Sequence, residues 1–252
     1  MGMCPLFFIN MTKRKKISFL LLFSALILLL FFLLFSFLVS QGNFITVDTY
    51  INEVFGYKFR GLFYLYSKIL EYLYIFLSFL FFRLIYKFYK RGEKMESLLL
   101  IITAVASLFA QFFVKPIFSV LCPGSYYNSV FTTYKLIAKS NLFQRIALNE
   151  TCYPSNHTIA YIVICGYLAL LMKVYFPKKK STNSIVFALL FVIATVGITR
   201  VYLHVHWFSD VIAGYFLGGF FLSIIFLVRL FKTEIRHNMK VIYEKLEKTT
   251  GK

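Results

Sequence analysis

Acidic residues are scarce in this chain: ten Asp and Glu stand against 28 Lys and Arg. Charges of both signs make up only 15% of it, too few to clothe a soluble domain. Carboxylates this sparse form no cluster suited to holding a metal ion. Internal repeats, low-complexity segments and long linkers are also missing, so residues 1–252 read as one domain. No small-x-small cleavage site follows the first apolar run. That run also exceeds the ~7–15 apolar residues of a signal peptide, so it reads as an anchor despite the basic KRKK before it.

Apolar residues are abundant instead, at 60% of the chain with aromatics at 20%, and the mean hydropathy is +0.74. Six windows reach or approach the ~20 residues that cross a hydrocarbon core. They are Ile17–Val39, about Ile69–Tyr89, Ser97–Val114, Thr158–Tyr175, Ser184–Thr199 and Val211–Leu230. The second carries charges and the fifth is short. The expectation is an all-α polytopic membrane protein with six transmembrane helices.

The net charge of +18 sits where topology wants it. Lys13–Lys16, the Arg83–Lys94 cluster, Lys173 with Lys178–Lys180, and the tail from Arg229 alternate with poorly charged loops. That is the positive-inside pattern with both termini cytoplasmic, so nucleic acid is excluded as a partner. Residues 1–16 read as a cytoplasmic leader. Residues 232–252 carry Ile235, Met239, Ile242 and Leu246 at helical spacing, as an amphipathic tail on the cytoplasmic surface does. The outer segment from Gln41 to about Lys68 is rich in Phe and Tyr and is expected to lie along the interface. The loop of residues 115–156 is the only long polar segment, and such loops are more often functional than not.

Three stretches on the outer side carry chemistry. In TRVYLHVHWFSD (Thr199–Asp210), His206 and Asp210 are four residues apart and share a helix face if they open the sixth span. Asp210 then orients His206 as a carboxylate orients a catalytic base. The alternative is that His206 and Trp207 anchor the interface and Asp210 caps the helix. Arg200 suits bidentate capture of a phosphate, or snorkels at a helix end. In CYPSNH (Cys152–His157), Ser155, Asn156 and His157 follow Pro154 at a helix start. Backbone N–H groups there make an anion site, and His157 can protonate a leaving oxygen. In KPIFSVLCP (Lys115–Pro123), Lys115 sits at the same boundary. Cations, helix N-terminal amides and histidines together describe phosphoryl transfer from a lipid headgroup.

These stretches resemble the three-part signature of the type 2 phosphatidic acid phosphatase superfamily, KxxxxxxRP, PSGH and SRxxxxxHxxxD. Here it reads Lys115-x6-Cys122-Pro123, then Pro154-Ser155-Asn156-His157, then Thr199-Arg200-x5-His206-x3-Asp210. The resemblance covers about Lys115 to Leu230. It implies that His206 is the nucleophile and forms a phosphohistidine, that Asp210 orients it, and that His157 protonates the leaving alkoxide. Lys115, Ser155, Asn156 and Arg200 then bind phosphate, with no metal or other cofactor. His204 is not a motif position and reads as a loop residue.

Thr199 keeps the hydroxyl of the motif serine, and Asn156 replaces a glycine beside the phosphate site. Cys122 replaces the motif arginine and removes a cation; Lys135, Lys139 and Arg145 of the same loop are candidates to replace it. Cys122 and Cys152 flank that loop, and a bridge between them would pin the first motif to the second. Cys4 and Cys165 have no assigned role. The expected partner is a lipid in the bilayer of a bacterial inner membrane, met at the periplasmic face: undecaprenyl pyrophosphate or a lipid A phosphate first, then phosphatidylglycerophosphate or phosphatidic acid. Two alternatives stay open, a phosphotransferase using the same intermediate and a lipid-binding protein without activity. Nothing in the sequence fixes an oligomeric state.

Overall fold

The computed structural model describes residues 11–58, 61–109, 113–118, 152–177 and 179–250. Every regular element among them is helical: α1 (Met11–Ser40), α2 (Ile45–Lys58), α3 (Leu62–Lys90), α4 (Lys94–Phe109), α5 (Lys115–Phe118), α6 (Asn156–Tyr175), α7 (Lys180–Tyr202) and α8 (Phe208–Thr250). Helices are the expected solution, because backbone polar groups in hydrocarbon must pair within their own segment. Five of them, α1, α3, α6, α7 and α8, are long and apolar enough to cross a membrane. The chain is a multi-pass membrane protein.

Residues 97–109 of the third window lie in the 16-residue α4, residues 113–118 are helical again, and 110–112 lie outside the described residues. The charged second window becomes a 29-residue helix and the short fifth one a 23-residue helix. The first extends through the aromatic-rich residues 62–68 and the second through the polar residues 180–183. Helix α8 runs without a break from Phe208 to Thr250, so the expected tail helix continues the last span.

Helix α6 is the centre of the bundle. From Thr158 to Leu171 nearly every side chain is buried, as expected of a helix that is apolar all round. Helices α4, α7 and α8 pack on it, and α1 packs along α8. Outward faces of α1, α3 and α7 expose Phe, Leu and Ile in number, far beyond what a water-soluble surface carries. The segment after α1 differs from the expected interfacial belt. It folds as α2, packs on α7 and α8, and buries two polar side chains, Asp48 and Asn52.

Close approach of α6 and α8 aligns the starts of both helices. A Cβ on Gly214 would lie 2.9 Å from the Thr158 Cβ and 3.0 Å from the Ser155 carbonyl oxygen. Only glycine lets the helices meet there, the small-residue packing typical of membrane bundles. Further along α6, Tyr167 donates to Glu96 at 2.8 Å and accepts from Arg229 at 3.1 Å, and Arg229 pairs with Glu96. This buried polar cluster ties α4, α6 and α8 roughly 18 Å from Ser155, at ~1.5 Å per residue.

The Gly214→Ala variant is expected to lose about 1–3 kcal/mol of stability, the usual cost of overpacking. A lowered thermal unfolding midpoint in detergent checks this. An unchanged midpoint would mean that the two helices separate there at no cost.

Candidate active site

The site grows from the turn between α7 and α8. Helix α7 ends with His204 N–H bonded to the Val201 carbonyl at 2.9 Å and Val205 N–H to the Arg200 carbonyl at 3.3 Å. These two bonds are the Schellman pattern, which needs a left-handed residue at the position of His204. Glycine is the usual occupant, yet His204 adopts φ 54°. Its Nδ1 lies 2.6 Å from Asn52 Oδ1 of α2, a contact that helps hold the unusual backbone. The loop residue of the sequence reading is thus the stop of α7.

Helix α8 begins at Phe208, so His206 lies in the preceding turn and not on the opening turn of the span as expected. Asp210 still reaches it. One oxygen, Oδ2, accepts from the Trp207 N–H at 2.9 Å and lies 3.3 Å from His206 Nδ1. The first bond is the return half of a capping box, in which a third-position side chain satisfies the N-cap amide. Asp210 thus bonds the N-cap amide from the third position of α8 and also contacts the histidine. Its other oxygen, Oδ1, is buried with no hydrogen-bond partner among the described residues. The His206 side chain is 7% exposed. Burial first, then the charges of Lys115 and Arg200, pushes it well below the usual histidine range. It is neutral near pH 7, as a nucleophilic nitrogen must be.

Helix α6 starts beside this turn. The Ser155 N–H donates to the Asp210 carbonyl at 3.0 Å, and the Ser155 carbonyl accepts the Ile159 N–H at 3.1 Å. Ser155 N-caps the helix through its backbone alone. Its hydroxyl accepts from Thr158 Oγ1 at 3.0 Å and keeps its own proton for another acceptor. Asn156 and His157 form the first turn, where N–H groups point out of the helix. The His157 ring lies 5.3 Å from the Tyr74 ring, within electrostatic reach of Arg200, His206, Glu71 and Lys115.

Arg200 is 1% exposed on the last turn of α7. Its Nη1 lies 3.4 Å from Glu71 Oε1 and its Nη2 3.5 Å from the Ser67 carbonyl. Its Nε is buried with no hydrogen-bond partner among the described residues. An N–H so placed costs free energy unless a ligand accepts from it. Lys115, at the start of α5, acts electrostatically on His206 and Asp210. Burial lowers its own ammonium below the ordinary value, and the Asp210 carboxylate opposes that.

Lys115, Ser155, Asn156, His157, Arg200, His206 and Asp210 thus gather at one end of the bundle. Cys152 is there too, disulfide-bonded, with Sγ 3.1 Å from the Val205 carbonyl oxygen. Ligand atoms of Cys152, His206 and Asp210 lie within 4.8 Å of one another. A disulfide sulfur is no thiolate, so that trio lacks the donor a soft metal would require. Cys122, Pro123, Lys135, Lys139 and Arg145 lie outside the described residues.

Sequence reasoning missed Glu71 and Asp48. Glu71 is an acid inside an apolar span, itself a functional signal, but its charge counted only against the window that held it. Asp48 gave no signal. It reaches from α2 to the first turn of α8, accepting from the Ser209 N–H at 2.9 Å and the Ser209 hydroxyl at 2.6 Å. A carboxylate there suits the positive end of the helix dipole. Burial nevertheless raises its pKa to about 6, against the opposing pull of the Ser209 bonds.

A family model described as the PAP2 superfamily matches residues 96–234, which include every motif position above. The fold is similar to the crystal structure of a transmembrane PAP2-type phosphatidylglycerolphosphate phosphatase from Bacillus subtilis. The TM-score is 0.65 at 21% identity, over 84% of this chain and 98% of that one. No curated protein matches the chain.

Asp48 provides a pH test. The folded protein binds its proton more tightly (pKa about 6) than the unfolded chain does (3.8), so ionisation weakens the fold. Its contribution to stability is present below about pH 4, is lost as pH rises to about 6, and is level above. Unfolding midpoints of wild type and Asp48→Asn should therefore differ by an amount that changes over that window, on the order of 1–3 kcal/mol. A difference that stays constant from pH 4 to 7 would contradict it.

Proposed function

The chain belongs to the PAP2 superfamily, and from that premise we propose that it is a membrane phosphatase hydrolysing a lipid-linked phosphate or pyrophosphate. One observation carries the reading. A neutral histidine is held by a buried carboxylate at 3.3 Å, at the same end of the bundle as a buried arginine whose Nε lacks a partner. A phosphoryl group between them meets both needs, a nucleophile and an acceptor for the orphan donor.

His206 attacks phosphorus and the bond to the lipid oxygen breaks. His157 gives that oxygen its proton, releasing the lipid alcohol or, from a pyrophosphate, the lipid monophosphate. His157 then takes a proton from water, whose oxygen displaces His206 and yields inorganic phosphate. Arg200, Lys115, the Ser155 hydroxyl and the first-turn amides of α6 at Asn156 and His157 hold the phosphate oxygens, since electrostatic stabilisation dominates such transfers. Asp210 keeps the imidazole in position throughout.

The positive-inside pattern supports a site facing the periplasm of a bacterial inner membrane. Undecaprenyl pyrophosphate and lipid A phosphates suit an outward-facing site. The structural relative, named for phosphatidylglycerolphosphate, adds that headgroup to the comparison. Cys122 in place of the motif arginine favours one second reading, transfer of the phosphoryl group to an acceptor lipid. Labelled donor lipid separates the two: hydrolysis puts label in inorganic phosphate, transfer puts it in lipid. The inactive reading predicts instead that His206→Ala and wild type behave identically. Cys122 is the proposed partner of Cys152.

Detergent-purified protein is expected to release phosphate from at least one of these lipids at a rate unchanged by EDTA. His206→Ala should abolish release, and Asp210→Asn should lower kcat by about 10²–10⁴, as for other residues that orient a catalytic histidine. Release that persists in His206→Ala would overturn the mechanism. A non-reduced digest should yield a linked Cys122–Cys152 peptide, and free alkylation of Cys122 would exclude that pairing.

A further inference from the structure

Arg200 is deeply buried yet loosely held. Its contacts to Glu71 at 3.4 Å and the Ser67 carbonyl at 3.5 Å are at the long limit of hydrogen bonding. A guanidinium has five donors and favours bidentate, charge-assisted partners, and here Nε has none among the described residues. Among the described residues, Glu71 is the one carboxylate paired with it. A carboxylate in that position has two effects on an arriving phosphate: it repels the anion, and it occupies Nη1.

The same carboxylate has a second cation. Lys68 Nζ, one helical turn away, binds the other oxygen, Oε2, at 2.9 Å. Glu71 is therefore held between Lys68 and Arg200, closer to Lys68. Arg200 is fixed by burial, whereas the Lys68 and Glu71 side chains are 39% and 33% exposed. Lys68 rides on a flexible stem with its ammonium 5.9 Å from the Tyr64 ring centre. Neither α3 residue belongs to the motifs, and the chain has Cys122 where the signature has an arginine.

Building on the phosphate-binding reading above, we propose that Lys68 and Glu71 form a hand-over pair that sets the affinity of the site for a phosphate group. In the empty site Glu71 balances the buried charge of Arg200. When a phosphate takes the guanidinium, Lys68 retains the carboxylate and keeps it from competing. Lys68 thereby raises phosphate affinity without touching the phosphate. Both residues position Arg200 and are not catalytic.

The test uses the full chain in detergent, with inorganic phosphate as the probe, read by calorimetry, and with KM and kcat measured on the best lipid substrate. Lys68→Ala should weaken phosphate binding and raise KM by on the order of tenfold, the size of one charge-assisted contact, with kcat little changed. Lys68→Arg should stay near wild type. Glu71→Gln should bind phosphate more tightly than wild type, and in the Lys68→Ala background it should restore the lost affinity. That rescue separates a hand-over from direct contact. Wild-type affinity in Lys68→Ala overturns the pair while leaving the phosphatase reading intact, provided His206→Ala is inactive. A double variant as weak as Lys68→Ala also overturns it, because Lys68 would then touch the phosphate itself. A wild type that neither binds nor releases phosphate overturns both readings together.

Discussion

Two helix N-termini meet in this protein because one residue has no side chain. At Gly214 the backbone of α8 comes so near Thr158 and the Ser155 carbonyl that a Cβ would sit at 2.9–3.0 Å from them. From that approach follows the bond from the Ser155 amide to the Asp210 carbonyl. Through it, the start of α6 is registered against the turn that carries His206. Positive ends of two helix dipoles then converge, together with Arg200 and Lys115, at one end of an otherwise apolar bundle. Asp210 and Asp48 answer the free N–H groups at the start of α8 with side-chain acceptors, to Trp207 and Ser209 respectively.

Each polar group near the site has more than one task. Asp210 closes the first turn of α8 and contacts the nucleophile proposed here. Asp48 and Asn52 belong to α2, the element that read as an interfacial belt, and they clamp both sides of the His206 turn. Asn52 holds His204 at the end of α7, and Asp48 holds Ser209 at the start of α8. The turn is thus fixed by α2 as well as by its own capping bonds. Such preorganisation suits phosphoryl transfer, where the protein contributes position and charge.

Electrostatics also explains the state of the histidine. A surface imidazole is partly charged near neutral pH, but His206 is buried among cations that disfavour its protonation. The cations that would bind phosphate thereby also keep the nucleophile neutral.

The apolar windows by themselves determined the all-helical, multi-pass class, because a run that fills hydrocarbon has helix as its only open-ended solution. The spacing Thr199-Arg200-x5-His206-x3-Asp210 and the PSNH stretch determined the candidate site residues, because side-chain chemistry at fixed separations is local. What the sequence could not yield was everything set by contact between distant segments. The folding of α2 onto the site, the left-handed His204, and the approach of Glu71 and Asp48 to Arg200 and Ser209 are of this kind. Each depends on packing between elements separated by 100 residues or more in most cases, as Glu71 is from Arg200 by 129 and Asp48 from Ser209 by 161. No local pattern encodes such a distance; only the tertiary structure decided it.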